Sequence, residues 1–403
     1  MSGPTVDHRS DDRDRELDDV LVAGAVASLA RLPEVGSVRL RSILRHHHPV
    51  EALDLLATGR PLHHMAVGSI PAAQLMAIRR AARESDVQAD ADHLRATGIR
   101  VTWVGQPDYP AVLAADLEAP TAIFAAGSFD AIDARRVGIV GTRNATAAGL
   151  ATARELGAAL ADRGVTVVSG LALGIDGAAH TGVRASTGPG RPIAVVGSGP
   201  DVVYPRRHRQ LWEWVPTAGL LLSEWPPGTP PDAWRFPARN RIIAALSEVL
   251  VVVESRERGG SLITAQLALD RDVQVMAVPG SPRVRAAMGT NKLLVDGAAP
   301  VTCVDDVLVM LGLDTRRRGG SAFDPRPPPT DDQLAVLDAC ESEPCTLDAI
   351  AAATGLSLTD AALAAARLER GGWLVEVAGW FEPTASRLAE RTERWIPPEA
   401  IQR

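Results

Sequence analysis

The stretch VGIVGTRNATAAGLATARELGAALADRGVTVVSG, residues 137–170, decides the fold class of this chain. It opens on a short apolar run, turns through polar residues, continues as a long helical pattern and ends in a second apolar run, VTVVSG. Apolar runs without polar alternation are typical of strands that are buried on both faces of a sheet. A strand, a helix and a second such strand predict a parallel βαβ unit.

The same alternation extends over the middle of the chain. The other predicted strands are IRVTWVG (99–105), PIAVVG (192–197), GLLLSEW (219–225), EVLVVVE (248–254) and VQVMAVPG (273–280). Helical segments separate them, so the sequence predicts an α/β fold, an extended Rossmann-like doubly wound parallel sheet, over residues 99–313.

Smaller regions flank this domain. The charged residues 1–19 are predicted to form a disordered leader, and 20–98 a helical domain similar to a helix-hairpin-helix. Glu34 stands where that hairpin usually has a glycine, and an acid there would repel phosphate, so a structural or protein-contact role is favoured. A Pro-, Gly- and Arg-rich linker at 314–330 leads to a winged-helix pattern at 331–385 and a tail at 386–403.

The winged-helix pattern lacks the basic surface of a DNA reader. Its would-be recognition helix, 358–370, carries Arg367 and Arg370 against Asp360 and Glu369. This balance favours contact with protein, or a role in a dimer, over contact with a DNA groove.

The composition indicates a cytoplasmic protein without membrane contact. Cys303, Cys340 and Cys345 are odd in number and lack metal-ligand spacing, so no metal site is predicted. The apolar runs are shorter than the roughly 20 residues of a membrane helix, and the charged N-terminus does not resemble a signal peptide.

The charge is uneven along the chain. The net charge is −7, but residues 200–295 hold twelve Arg or Lys against nine Asp or Glu. Six of the fifteen aromatic residues lie in the same region. Cations interleaved with rings suit a single-stranded nucleic acid, whose backbone is anionic and whose bases stack. Alternatively, the arginines cover the surface and the tryptophans fill the core.

The loops that follow the strands contain the candidate site, because ligands of open parallel sheets bind beyond the carboxyl ends of the strands. Several of these loops are rich in small residues and lead into helices, whose free N–H groups attract anions. The candidate phosphate-binding residues are Gly141, Thr142, Ser169, Gly170, Gly259, Gly260 and Ser261. The candidate DNA-binding side chains are Arg143, Arg206, Arg235, Phe236, Arg239, Arg241 and Lys292.

Signatures of common nucleotide enzymes do not occur in the sequence. Residues 137–149 do not fit GxGxxG, and no GxxxxGK[ST] is present. Asp176 and His180, four residues apart on one helix, could be an acid–base pair for hydrolysis or a structural hydrogen bond. Nothing in the sequence requires catalysis, so no catalytic residue and no cofactor are predicted.

Six collinear motifs resemble the DNA processing protein A (DprA, or Smf) family. They are GTR, SGLALGIDGAAH, SGPDVVYP, FPARNRIIAALS, GGSLITAQLALDRDVQVMAVPG and GTNKLLVDGA, between residues 103 and 307. The resemblance implies a sterile-alpha-motif-like N-terminal domain and a homodimer through the Rossmann-like domain. It also implies a protein that binds and protects single-stranded DNA in natural transformation and loads the RecA recombinase, without catalysis.

The resemblance also implies where DNA binds. Arg143, the arginines of FPARNR and Lys292 match the family's positive pocket, and Arg206 follows the YP of the third motif. Ser198 departs from the family, where Asn or Cys is commoner. The alternative is an enzyme of the phosphoribohydrolase class, whose PGGxGTxxE motif is replaced here by SRERGGSLITA without the glutamate.

Overall fold

The computed structural model describes residues 8–62, 70–313, 326, 329–340, 344–377 and 379–384, with side chains from residue 19 onward. The chain divides into two compact units, 1–323 and 324–403. The predicted tail, 386–403, and most of the predicted linker, 314–330, lie outside the described residues.

A nine-stranded sheet forms the centre of the first unit. Its strands are β1 (Arg100–Trp103), β2 (Ala122–Gly127), β3 (Arg136–Val140), β4 (Thr166–Ser169), β5 (Pro192–Val196), β6 (Leu220–Ser223), β7 (Val249–Val252), β8 (Gln274–Ala277) and β9 (Ala299–Pro300). The strand order is β1-β2-β6-β5-β4-β3-β7-β8-β9. All pairs from β6 to β9 are parallel, so the α/β class with a mostly parallel sheet is confirmed.

One edge of the sheet differs from the sequence prediction. We expected β1 to belong to a wholly parallel sheet, but it pairs antiparallel with β2, and β2 pairs antiparallel with β6. Strand β2 was not predicted, although its residues alternate between two cores. Ile123 and Ala125 face the sheet's own helices, whereas Ala122 and Phe124 pack on the N-terminal helices.

Helices cover both faces of the sheet. They are α6 (Ala111–Ala114), α7 (Ala147–Asp162), α8 (Ile175–Ala185), α9 (Arg209–Ala218), α10 (Arg235–Leu246), α11 (Gly260–Leu269), α12 (Met288–Val295) and α13 (Val304–Met310). Apolar residues of α6, α10 and α11 form one core with the sheet, and residues of α7, α8 and α13 form the other. The doubly wound arrangement follows from this placement.

Five helices precede the sheet: α1 (His8–Arg31), α2 (Ser37–His46), α3 (Pro49–Thr58), α4 (Ala72–Glu84) and α5 (Val87–Thr97). Helix α1 begins at His8, within the segment through residue 19 that the sequence predicted to be a disordered leader. Glu34 lies in the α1–α2 turn with φ of 62°, the left-handed region that the usual glycine would occupy without strain.

The second unit contains three helices and a small antiparallel sheet. The helices are α14 (Asp331–Ala339), α15 (Leu347–Thr354) and α16 (Leu358–Arg370), and the strands are β10 (Cys345–Thr346), β11 (Leu374–Val377) and β12 (Trp380–Pro383), in the order β10-β12-β11. Gly355, in the left-handed region, ends α15 ahead of α16. Among the described residues no single helix is long and apolar enough to span a membrane, although the bent pair α15–α16 passes on length and composition together.

Candidate functional site

The strand order places a cleft at the carboxyl ends of β3 and β7. The chain winds from β3 through β4 and β5 to β6, then returns to the other side of β3 as β7, so the connections diverge between these two strands. A crevice opens at such a switch point. The cleft has a volume of about 570 Å³, and its lining includes Gly141, Thr142, Arg143, Asp176, Tyr204, Phe236, Arg239, Arg256, Gly259, Gly260 and Ser261.

One wall of the cleft consists of an arginine and two neighbouring aromatic rings. Arg143 is exposed, and its guanidinium carbon lies 5.0 Å from the centre of the Phe236 ring. The Tyr204 ring, 41% exposed, lies 5.3 Å from the Phe236 ring at an angle of 32°. A cation on an aromatic face leaves its donors available to an anion, while the rings offer surface for a planar group.

The opposite wall is the start of α11. Gly260 is exposed, and the backbone of this first helical turn faces the cleft together with Ser261. Exposed Arg256 lies in the same loop and adds a second cation. The sequence prediction missed Arg256, although its position between β7 and the glycine pair was a usable signal. The first turn of a helix beside an arginine favours a phosphate.

Arg239, one of the predicted DNA-binding side chains, lies inside the fold. Arg239 is 3% exposed, and its guanidinium donates hydrogen bonds to the carbonyls of Gly170, at 2.9 Å, and Val195. It also lies 3.8 Å from the carboxylate of Asp176. Burial lowers the pKa of Arg239 to about 10, against the stabilising charge of Asp176, so the group stays cationic at neutral pH. Arg239 forms the floor of the cleft.

Two of the predicted phosphate-binding residues are likewise internal. The Ser169 hydroxyl is buried and donates to the Ile139 carbonyl at 2.6 Å. Gly170 accepts from Arg239, and a Cβ at that position would lie 2.1 Å from the guanidinium. The glycine is therefore required by the buried arginine, and the structure places both Ser169 and Gly170, which were predicted to bind phosphate, inside the fold.

A carboxylate of the protein itself occupies the N-terminus of α7. We expected Gly141 and Thr142 to open this helix toward an anion, but the helix begins six residues later. Glu254, at the end of β7, accepts hydrogen bonds from the backbone N–H of Thr146, at 2.9 Å, and from its hydroxyl, at 2.5 Å. Gly149 allows this approach, since a Cβ there would lie 2.3 Å from the carboxylate. Gly141 and Thr142 still line the cleft.

The other predicted cations lie outside the cleft. Arg241 pairs with Glu224 at 2.5 Å and ties α10 to the end of β6. Arg235 lies over the rings of Trp234, at 5.1 Å, and Trp225, at 6.0 Å. Arg206 and Lys292 are exposed and are not among the residues that line the cleft.

Asp176 and His180 do not form an acid–base pair. The His180 ring is fully buried, and neither of its nitrogens has a well-formed hydrogen bond among the described residues. Burial lowers the pKa of His180 to about 3, so the ring is neutral at physiological pH. Burial raises the pKa of Asp176, while Arg239 and backbone hydrogen bonds from Gly170 and Ala172 oppose that change. Both side chains are therefore buried and engaged or enclosed within the fold.

The cleft therefore presents cations and rings to its ligand. Its exposed charged side chains are Arg143, Arg256 and Asp232, while Asp176 and Arg239 compensate each other below. No group of three or more His, Cys, Asp or Glu residues that could hold a metal occurs in the part of the chain that the structure describes. The fold and the cleft define a Rossmann-like α/β protein suited to an anionic ligand that carries planar groups.

Comparisons with known proteins identify the family. The model of the family described as DNA recombination-mediator protein A matches residues 100–312. A putative DNA processing protein DprA of Mycobacterium tuberculosis is 35% identical over 353 residues, 83% of this chain and 87% of the relative. The DprA of Bacillus subtilis is 40% identical over 215 residues, 53% of this chain and 71% of that protein.

A solved structure is also similar to this chain. The structure of DprA from Streptococcus pneumoniae matches with a TM-score of 0.59 and 29% identity, and covers 70% of this chain and 95% of its own. The chain belongs to the DNA recombination-mediator protein A family, as its six motifs predicted.

Proposed function

We propose that the cleft at the switch point binds single-stranded DNA. The observation that carries the proposal is the combination, around one opening, of Arg143 on the Phe236–Tyr204 ring pair and Arg256 beside the first turn of α11. The arginines and the helix terminus would hold phosphates, and the rings would stack on bases. Membership of a family of recombination mediators supports a nucleic acid as the ligand.

The arrangement favours a single strand over a duplex. Bases of a duplex are paired and stacked internally, so the Tyr204 and Phe236 rings would reach only unpaired bases. Each protomer has two exposed arginines in the cleft, and exposed Arg206 and Lys292 would contact phosphates of the strand outside it. Side chains that read base edges are not required, so we expect little sequence preference.

Binding measured by fluorescence anisotropy across a salt series tests the proposal. For a single strand, log K should fall with log salt by about 0.7 per phosphate contacted, or about 1.4 for the two cleft arginines of one protomer and about 2.8 with Arg206 and Lys292. A blunt duplex of equal length is the control and should bind more weakly at every salt concentration. Equal affinity for the duplex would contradict the proposal.

We further propose that the protein protects the strand, loads RecA onto it and acts as a homodimer through the Rossmann-like domain, residues 99–313. The family description as a recombination mediator supports this role. Two clefts on one dimer would hold one strand at two points and raise its affinity without new contacts. Residues 99–310 alone should be dimeric by light scattering at micromolar concentration, and a monomer would place the dimer contact elsewhere.

The flanking regions are proposed to serve as protein-contact domains. Residues 20–98 would be a sterile-alpha-motif-like or helix-hairpin-helix-like domain, and 331–385 a winged-helix domain. In α16 the balance of Arg367 and Arg370 against Asp360 and Glu369 gives no basic face for a DNA groove.

We favour a binding protein over the alternative phosphoribohydrolase. The candidate acid and base of such an enzyme are already used within the fold. Asp176 lies against Arg239, and His180 is buried and neutral. Neither group is placed to activate water beside a bound nucleotide. Release of free base from nucleoside monophosphates would contradict this choice and revive the enzyme.

A further inference from the structure

The segment from Pro230 to Arg241 forms a ridge between two clefts. Pro231, Asp232, Ala233, Phe236, Pro237, Arg239 and Asn240 line the switch-point cleft. The remaining residues, Pro230, Trp234, Arg235, Ala238 and Arg241, line a second cleft of about 1300 Å³ between this ridge and the N-terminal helices. A strand that leaves the first cleft across the ridge would therefore meet Trp234 next.

Trp234 is exposed but held in a fixed orientation. Its side chain is 58% exposed, and its indole Nε1 donates to the Asp232 carboxylate at 2.9 Å. The ring meets that of Trp225 edge-on, with centroids 6.0 Å apart and an interplanar angle of 83°. A large aromatic surface that neighbouring contacts already orient loses little conformational freedom when a base stacks on it.

Arg235 lies against the same two rings. Its guanidinium carbon lies 5.1 Å from the Trp234 ring centre and 6.0 Å from that of Trp225. The guanidinium donates to the Pro230 carbonyl at 2.5 Å, which fixes the arginine across the ridge. Its Nε is buried and has no hydrogen-bond partner among the described residues. Contact with the two rings therefore leaves one donor of this guanidinium unpaired.

The charges around the second cleft are largely compensated. Four of its five lining acids pair with basic side chains: Asp90 with Arg31, Asp201 with His93, Glu118 with Arg271 and Glu224 with Arg241, while the fifth, Glu34, is exposed. Two lining cations, Arg39 and Arg235, lie outside these ion pairs, but both are half-buried and donate to backbone carbonyls, those of Glu34 and Pro230. At its entrance lies the Trp234 ring, whose face suits stacking with a base more than contact with the sugar-phosphate backbone.

We propose that Trp234 is a second base-stacking site for the DNA strand, reached only by strands long enough to cross the ridge from the switch-point cleft. The proposal rests on the proposed function, since it requires the strand to occupy the first cleft. It predicts a length threshold that the first cleft alone would not produce. Alanine in place of the ring should remove one base–ring stack.

The test compares Trp234→Ala, Trp234→Phe and wild type on an oligothymidine series of about 4 to 16 nucleotides, the range of site sizes of non-specific single-strand binders. The readout is affinity from fluorescence anisotropy at one salt concentration. For long strands the alanine variant should lose about five- to a hundredfold, the fold equivalent of one base–aromatic stack. The phenylalanine variant should retain most of the affinity.

The shortest oligonucleotides separate this inference from the function itself. Trp234→Ala should bind them as the wild type does, because they occupy the first cleft alone. Trp380→Ala removes a tryptophan of similar exposure, 52%, in the C-terminal unit and should change neither series. Thermal unfolding of all variants checks that the ridge remains folded.

Two results would overturn the stacking site while leaving the function intact: an equal effect of Trp234→Ala at every length, or no effect at any length. A dimer that dissociates in Trp234→Ala would also overturn it, because the ring would then be a subunit contact. Failure of the wild type to bind any single strand would instead refute the proposed function.

Discussion

Replacing Arg239 by alanine tests whether this arginine contacts the ligand or holds the sheet edge together. Its guanidinium is 3% exposed, donates to the carbonyls of Gly170 and Val195, and lies 3.8 Å from the Asp176 carboxylate. Removing the cation leaves a buried carboxylate uncompensated, which costs about 3–5 kcal/mol. Since two buried carbonyls also lose their donor, we expect a loss of about 4–5 kcal/mol of unfolding free energy.

This loss should be visible in thermal unfolding followed by circular dichroism. At about 2–4 °C per kcal/mol for a domain of this size, the Tm of Arg239→Ala should fall by about 8–20 °C. Arg143→Ala is the matched control on the same cleft, because its side chain is exposed, and its free energy of unfolding should change by less than about 0.5 kcal/mol.

A second substitution separates the charge from the packing. Asp176→Asn in the Arg239→Ala background removes the uncompensated carboxylate and should recover part of the lost stability. An Arg239→Ala protein that melts with the wild type but binds single-stranded DNA poorly would refute the reasoning. The guanidinium would then face the ligand, as the sequence had predicted.

The remaining predictions concern other side chains. Arg143→Ala should weaken single-strand binding about ten- to a hundredfold in anisotropy, the loss of one charge-assisted contact, and exposed Lys292→Ala should weaken it less. Arg241→Ala should lower unfolding free energy by about 1–3 kcal/mol in urea, because Glu224 loses its partner. Burial lowers the pKa of His180 from 6.5 to about 3, so between these pH values only the unfolded chain binds a proton at this residue. The free energy of unfolding should therefore fall by about 2 kcal/mol from pH 7 to pH 5. His180→Gln should make the free energy of unfolding less dependent on pH in this range.

The parallel part of the sheet was predictable because its strands carry a signal of their own. Runs such as VGIVG and EVLVVVE are apolar throughout, as strands covered on both faces must be. Strand β2, AIFAAG, is also largely buried, but it is rich in alanine, which favours a helix as well. Only its pairing with β6 decides that it is a strand. Strand β9 has two residues, too few for any periodicity.

The location of the candidate site was predictable from the sequence, but the role of every residue in it was not. Carboxyl ends of parallel strands meet at one edge, so the loops with Arg143 and Gly259 were expected to meet. The burial of Arg239 had a signal that was not used. It lies four and seven residues before Ile243 and Leu246, which are buried on α10, and this spacing puts Arg239 on the same helix face. The partner that makes its burial tolerable, Asp176, is 63 positions away in the sequence and could be found only in the fold.

Much of the anion-binding capacity at this sheet edge is used by the protein itself. The Glu254 carboxylate accepts hydrogen bonds at the N-terminus of α7. The Arg239 guanidinium donates to backbone carbonyls and lies beside Asp176. The first turn of α11 and two exposed arginines remain for a ligand. With so few exposed charges in the cleft, the proposed binding of a single strand would depend largely on ring stacking and, in the proposed dimer, on a second cleft. The buried pair of Arg239 and Asp176 is thus used within the fold, whereas the exposed side chains above it are available to a ligand.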